Sequence, residues 1–103
     1  MKIFDIYIAY VSWGDGGKRR PVLILEEKPD RVTAFNITTR YEDKSETIRA
    51  KYFPINDWKQ AGLDRQSYID TNSTVTLPPT AIENPIGRLT PADETRLIGF
   101  MSQ

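Results

Sequence analysis

The first residues able to do chemistry stand in the run Lys18-Arg19-Arg20-Pro21-Val22-Leu23-Ile24-Leu25. Three cations lead into a proline, and the proline into four large apolar residues. A short apolar run bounded by turn signals reads as a buried strand. Proline is admitted at its first residue, where no interior ladder donor is lost. The pattern predicts Arg20 at the rim of a core with its guanidinium facing out. Ahead of it Gly14-Asp15-Gly16-Gly17 reads as a flexible loop with little bulk. A planar guanidinium with five donors matches a phosphate. Taken alone, Arg20 reads first as a solvated cation at a strand start.

Two further groups qualify. Thr38 and Thr39, with Arg40 beside them, close a strand-like segment. Hydroxyls there usually satisfy local backbone groups, but they can also donate to a phosphate oxygen. Ser67, Asp70 and Asn72 fall in another strand-like segment, with Tyr68, Asp70 and Asn72 on one face and Ser67, Ile69 and Thr71 on the other. A carboxylate there can take a proton and an amide can read a nucleobase edge, although such groups are more often solvated edge residues. There is no paired-carboxylate motif, GxxxxGK[ST] loop or GxSxG elbow.

Composition narrows the chemistry. At 103 residues, 39% hydrophobic and 27% charged, the chain reads as one globular domain over residues 1–103. Lys+Arg equals Asp+Glu at 14 each. A polyanion would therefore have to meet a local patch, and no acid stands between Lys18 and Leu25. The absence of cysteine excludes disulfides and thiolate chemistry. The absence of histidine removes the commonest general base and metal ligand. No metal or other cofactor is expected. No signal peptide or membrane-length apolar run is seen, so a cytoplasmic protein without membrane contact is expected.

The elements that must hold these residues follow from period and punctuation. Ile3 to Val11 alternates as a strand, and Ser12 to Arg19 reads as a loop carrying Trp13. Trp13 reads first as a cap on the core edge and second as a stacking platform. Strands are predicted at Pro21–Glu26, Arg31–Thr38, Thr47–Phe53, Ser67–Thr71, Thr74–Leu77 and Ile86–Leu89. A short helix is expected after Pro54, capped by Asn56 or Asp57 and ended by Gly62. A second starts at Thr90 as N-cap with Pro91 at N1, and its apolar stripe is Leu97, Ile98 and Met101. The whole reads as mainly β, a small, strongly bent sheet or barrel with short helices.

The order of these pieces resembles the MazF/PemK (Kid) toxins of bacterial toxin–antitoxin modules. The resemblance rests on Asp5-Ile6-Tyr7, on Gly17 through Ile24, and on Ala34-Phe35-Asn36-Ile37-Thr38. It continues through Gly62-Leu63, Ser67-Tyr68-Ile69 and Ile86-Gly87-Arg88-Leu89. It spans nearly the whole chain and is most specific at the glycines followed by Arg-Pro and an aliphatic strand. It implies an SH3-like barrel (CcdB/MazF-like) with a C-terminal helix, a homodimer, and a cognate antitoxin as partner. It implies a sequence-specific, metal-independent endoribonuclease acting on single-stranded RNA. The family's catalytic arginine falls on Arg20 and its threonine on Thr38, and RNA contacts are expected from Lys18, Arg19, Thr39, Ser67, Asp70 and Asn72. The chain departs from many relatives in carrying Phe4 where they have glycine, and a shorter loop before Arg-Pro. Some relatives use an arginine and an aspartate in the penultimate strand, where this chain has Asp70 and Asn72. The other readings are a CcdB-like binding protein, although the Trp-Gly-Ile terminus is missing, and an inactive relative that only binds.

Overall fold

The computed structural model describes residues 1–103. Its elements are β1 (Asp5–Trp13), β2 (Gly16–Lys28), β3 (Arg31–Thr38), α1 (Glu46–Arg49), β4 (Tyr52–Pro54), β5 (Tyr68–Asp70), β6 (Val75–Leu77), a 3-10 turn (Pro79–Ala81), β7 (Ile82–Arg88) and α2 (Pro91–Met101). The strands form an antiparallel sheet in the order β4-β5-β3-β2-β1-β7, with β6 also paired to β3. The mainly β architecture with a C-terminal helix is the one the sequence predicts.

Alternation along β2 and β3 supplies two cores. Leu23, Phe35 and Ile37 join Ile6, Phe53, Ile55, Ile69, Leu89 and Leu97 in one. Val22, Ile24, Val32 and Ala34 join Ala9, Val11 and Leu77 in the other. Strands buried on both faces read as near-continuous apolar runs, which is why Val22 to Leu25 looks as it does.

Several local expectations give way to tertiary structure. The predicted loop Ser12 to Arg19 is mostly strand, since Trp13 pairs with Gly16 and only Gly14 and Asp15 turn the chain. Gly14 takes φ +45°, a conformation glycine adopts freely. Trp13 does not cap the core; it stands exposed beside this turn. Pro21 is therefore interior to a long strand rather than its first residue. The predicted strand Thr47–Phe53 is divided. Ser45 caps α1 by accepting from the Ile48 N–H at 3.4 Å, and Glu46 adds charge at the positive end, so only Tyr52–Pro54 remains extended. No helix forms after Pro54, because the Asp57 carboxylate accepts the Thr90 hydroxyl at 2.8 Å instead of capping its own segment. β7 begins at Ile82, earlier than predicted, extended by its pairing with β1.

α2 starts as expected, with the Thr90 Oγ accepting from the Asp93 N–H at 3.3 Å. Its inward residues are Asp93, Leu97 and Phe100, while Ile98 and Met101 of the predicted stripe stand exposed. Asp93 is wholly buried and satisfied, accepting from the Asp57 N–H at 2.8 Å and from Arg96 at 2.6 Å. This network ties α2 to the segment that leads from β4 to β5.

Phe4 has φ 74°, in the left-handed region that favours glycine. A phenylalanine there costs roughly 1 kcal/mol of backbone strain. Its ring packs against the first core, its N–H donates to Ile24, and its carbonyl accepts from Leu89. Those contacts hold the strained conformation.

Gly62 and Gly87 meet back to back. A Cβ on Gly62 would overlap the Ile86 carbonyl, and one on Gly87 would overlap the Ala61 carbonyl. Gly87→Ala is expected to destabilise by about 1–3 kcal/mol, because backbone rather than a flexible side chain must yield. Gly99→Ala, in open space on α2, should stabilise by about 0.5–1 kcal/mol. Urea unfolding of both variants checks the contrast.

Candidate active site

A strand has two hydrogen-bonding edges, and β3 divides one of them between two partners. Val32 to Ala34 pair with β6, whereas Ile37 and Thr38 pair with Ile69 and Tyr68 of β5. On the other edge, pairing with β2 ends at Val22↔Asn36. β2 nevertheless continues along β1 back to Gly16. β2 and β3 therefore part just beyond Val22 and Asn36. Pro21, which has no N–H to donate, stands at the parting. Continued by two residues, the register would set Arg20 against Thr38.

A cleft of about 230 Å³ opens there. Arg20, Thr38, Lys18, Arg19, Thr39 and Ser67 all line it, together with Arg40 and Asp64. The structure thus brings together six of the eight residues singled out from the sequence. Asp70 and Asn72 do not line the cleft. Asp70 instead accepts the Asn72 N–H at 2.9 Å, a local turn contact.

Arg20 differs from the arginines held by acids. Arg19 is held by Glu83 at 2.9 Å, Arg40 by Asp43 at 3.4 Å, Arg88 by Asp5 at 2.9 Å and Arg96 by Asp93 at 2.6 Å. Arg20 makes no ion pair, and its Nε is buried with no hydrogen-bond partner. The outward-facing guanidinium expected from the sequence is thus half sunk into the fold. A buried donor left unpaired costs about 1–3 kcal/mol, so an anion reaching Arg20 meets a cation with nothing to give up first.

Thr38 is prepared differently. Its Oγ1 accepts from the Arg40 N–H at 3.1 Å, which orients the hydroxyl and leaves its own proton to donate. Ser67 is buried and its hydroxyl donates to the Arg65 carbonyl at 2.9 Å, so its proton is committed within the fold. Arg19 lines the cleft, but its Nε is spent on both oxygens of Glu83.

Register defines the wider surface, since directly paired residues share a sheet face. Arg20, Asn36 and Thr38 fall on one face with Tyr68, Asp70 and Tyr52, through the pairs Val22↔Asn36, Thr38↔Tyr68 and Tyr52↔Asp70. Tyr41 stacks on Tyr68 with centroids 4.4 Å apart and planes 12° apart. Sequence reading missed this aromatic group. The available signal was three tyrosines in the strands and turn flanking Thr38, but their meeting depends on pairing between segments far apart in the chain. No three His, Cys, Asp or Glu side chains gather as a metal site, and no helix is long and apolar enough to cross a membrane.

No protein-family model and no curated protein sequence matches the chain. Solved structures do. The Mycobacterium tuberculosis toxin MazF-mt6 superposes with a TM-score of 0.73 at 27% identity, over 95% of this chain and 92% of that one. A second Mtb toxin gives 0.64 at 27% identity, over 81% and 89%. An endoribonuclease solved in complex with its cognate antitoxin, from a mycobacterial species, gives 0.66 over 96% and 86%; at 17% identity it speaks for the fold.

Tyr52 ties this face to a measurable pH effect. Burial raises its phenol above the usual 10.0, the Asp70 charge adds to the rise, and Arg20 opposes it. The folded chain therefore holds this proton more tightly than the unfolded chain. That contribution is present below pH 10 and is lost as pH rises through the raised folded value. Thermal melts between about pH 9 and 11.5 should fall less steeply for Tyr52→Phe than for the wild type.

Proposed function

We propose, from its likeness to the Mycobacterium tuberculosis toxin MazF-mt6, that the chain is an endoribonuclease toxin of the MazF kind, cutting single-stranded RNA at particular sequences without a metal ion. The observation that carries this reading is Arg20, a cation with a buried, unpartnered donor, brought to one cleft with Thr38.

The chemistry asks little of the protein. The substrate's 2′-hydroxyl attacks the adjacent phosphorus, so neither a Ser nor a Cys nucleophile is required. The bond from the 2′ oxygen to phosphorus forms and the bond to the 5′ oxygen breaks. A proton lost at the first oxygen is balanced by one gained at the second. The products are a cyclic phosphate and a free 5′-hydroxyl. Negative charge grows on the non-bridging oxygens in between, where a positioned guanidinium and hydroxyl stabilise it. Arg20 takes that charge and Thr38 donates to and positions the phosphate. Lys18, which lines the same cleft without an ion pair, draws the RNA backbone in.

The protein partner is a cognate antitoxin, which competes with RNA for the cationic cleft. The similar mycobacterial endoribonuclease was solved with its own antitoxin bound. The working form is a homodimer in the cytoplasm.

Incubation with long single-stranded RNA in EDTA tests this. The wild type should yield discrete fragments with 5′-hydroxyl ends. Arg20→Ala should lower the rate about a hundredfold to a thousandfold with no loss in melting temperature, since the buried donor it removes has no partner in the fold. Thr38→Val should lose less. Intact RNA from folded wild-type protein would favour a relative that only binds.

A further inference from the structure

We infer that Tyr68, Tyr41 and Asp70 form a subsite for the nucleobase beside the reacting phosphate, selecting a base with an exocyclic amino group. This rests on the ribonuclease reading above. Three observations carry it.

Tyr68 is the direct cross-strand partner of Thr38, so its ring shares a face with the hydroxyl that positions the phosphate. Any base attached at that phosphate is therefore within reach of the ring. Second, the Tyr68 and Tyr41 rings are stacked at 4.4 Å and both are only half-buried. Tyr41 comes from the turn that follows β3, with Arg49 5.7 Å from its ring centroid. A half-buried tyrosine stack on a face that also carries a free arginine matches the way single-stranded RNA is held, with bases on aromatic rings and phosphates on cations.

Third, Asp70 follows Tyr68 by two residues on the same face. Its Oδ1 accepts the Asn72 N–H at 2.9 Å, while Oδ2 makes neither a hydrogen bond nor an ion pair. An ionised carboxylate only accepts. It therefore favours a base edge that donates, such as the cytosine N4 amino group, over uracil, which presents a carbonyl there.

Binding of fluorescein-labelled 2′-O-methyl RNA 12-mers to the full chain, read by anisotropy, tests the subsite. Such RNA has no nucleophile, so binding is measured whether or not the protein cleaves. Oligo-C, oligo-U and an abasic 12-mer are compared. The wild type should bind oligo-C more tightly than oligo-U, and both more tightly than the abasic strand. Tyr68→Leu and Tyr41→Leu should each weaken oligo-C about tenfold or more and leave the abasic strand unchanged. Tyr68→Phe, which keeps the ring, should bind oligo-C like the wild type. Asp70→Asn should remove the preference for oligo-C.

Equal losses on base-bearing and abasic strands, no loss at all, or no wild-type binding of any base-bearing strand would overturn the inference. A wild type without preference for oligo-C, or an Asp70→Asn variant that keeps it, would overturn the assignment of Asp70. The two readings separate cleanly. Cleavage of unmodified RNA with tyrosine-independent binding sinks only the subsite, whereas base-dependent binding without cleavage sinks only the ribonuclease.

Discussion

A β-strand can satisfy only one neighbour per edge at a time, and β3 spends its edges on three. β2 takes one edge as far as Asn36, while β6 and β5 divide the other. Where β2 and β3 part, backbone that would otherwise close the sheet leaves room for a ligand. Arg20 and Thr38 are the residues the register sets on either side of that room. The site is thus a consequence of strand pairing, and the long β1–β2 hairpin keeps Arg20 in place after β3 has turned away.

The geometry holds only if β5 is delivered to the end of β3. That is the task of residues 55 to 67, which have no regular structure of their own. They are held by contacts that tolerate little change. Gly62 lies against the backbone of β7 at Gly87. The Asp57–Thr90–Asp93–Arg96 network fixes the same segment to the start of α2. Buried polar groups that are fully satisfied specify one arrangement more sharply than apolar contacts do.

Electrostatics completes the account. A chain with equal numbers of acids and bases exerts no general pull on a polyanion. Here six arginines are engaged, by Asp30, Asp43, Asp64, Glu83, Asp5 with Glu94, and Asp93, while Lys18 and Arg20 are left without ion pairs at the cleft. Neutrality overall and a free cation at the site are compatible because charge balances over the whole chain and not within the cleft.

Much of this was legible in the chain itself. Arg31–Thr38 is the strand its alternation describes, and Thr90-Pro91-Ala92-Asp93 starts a helix for reasons contained in four residues. That Arg20 and Thr38 lie together at one cleft was legible through the resemblance to the MazF/PemK toxins. What depended on distant partners was not. Asp57 looked like a helix cap until Thr90 claimed its carboxylate. Thr47 and Ile48 looked like strand until the Ser45 cap folded them into α1. The pleat already set Ser67 and Asp70 on opposite faces, but that Ser67 is buried and that Asp70 shares its face with Tyr52 depended on the pairing of β4 with β5. Local propensity and period settle within a few residues, so sequence alone determined that segments such as Arg31–Thr38 extend and where α2 begins. Only the tertiary structure decided that Arg20 is left unpaired and that Tyr68, with Tyr41 stacked on it and Tyr52 beside Tyr41, lies on the face of Thr38, because both follow from which strand edges are already taken.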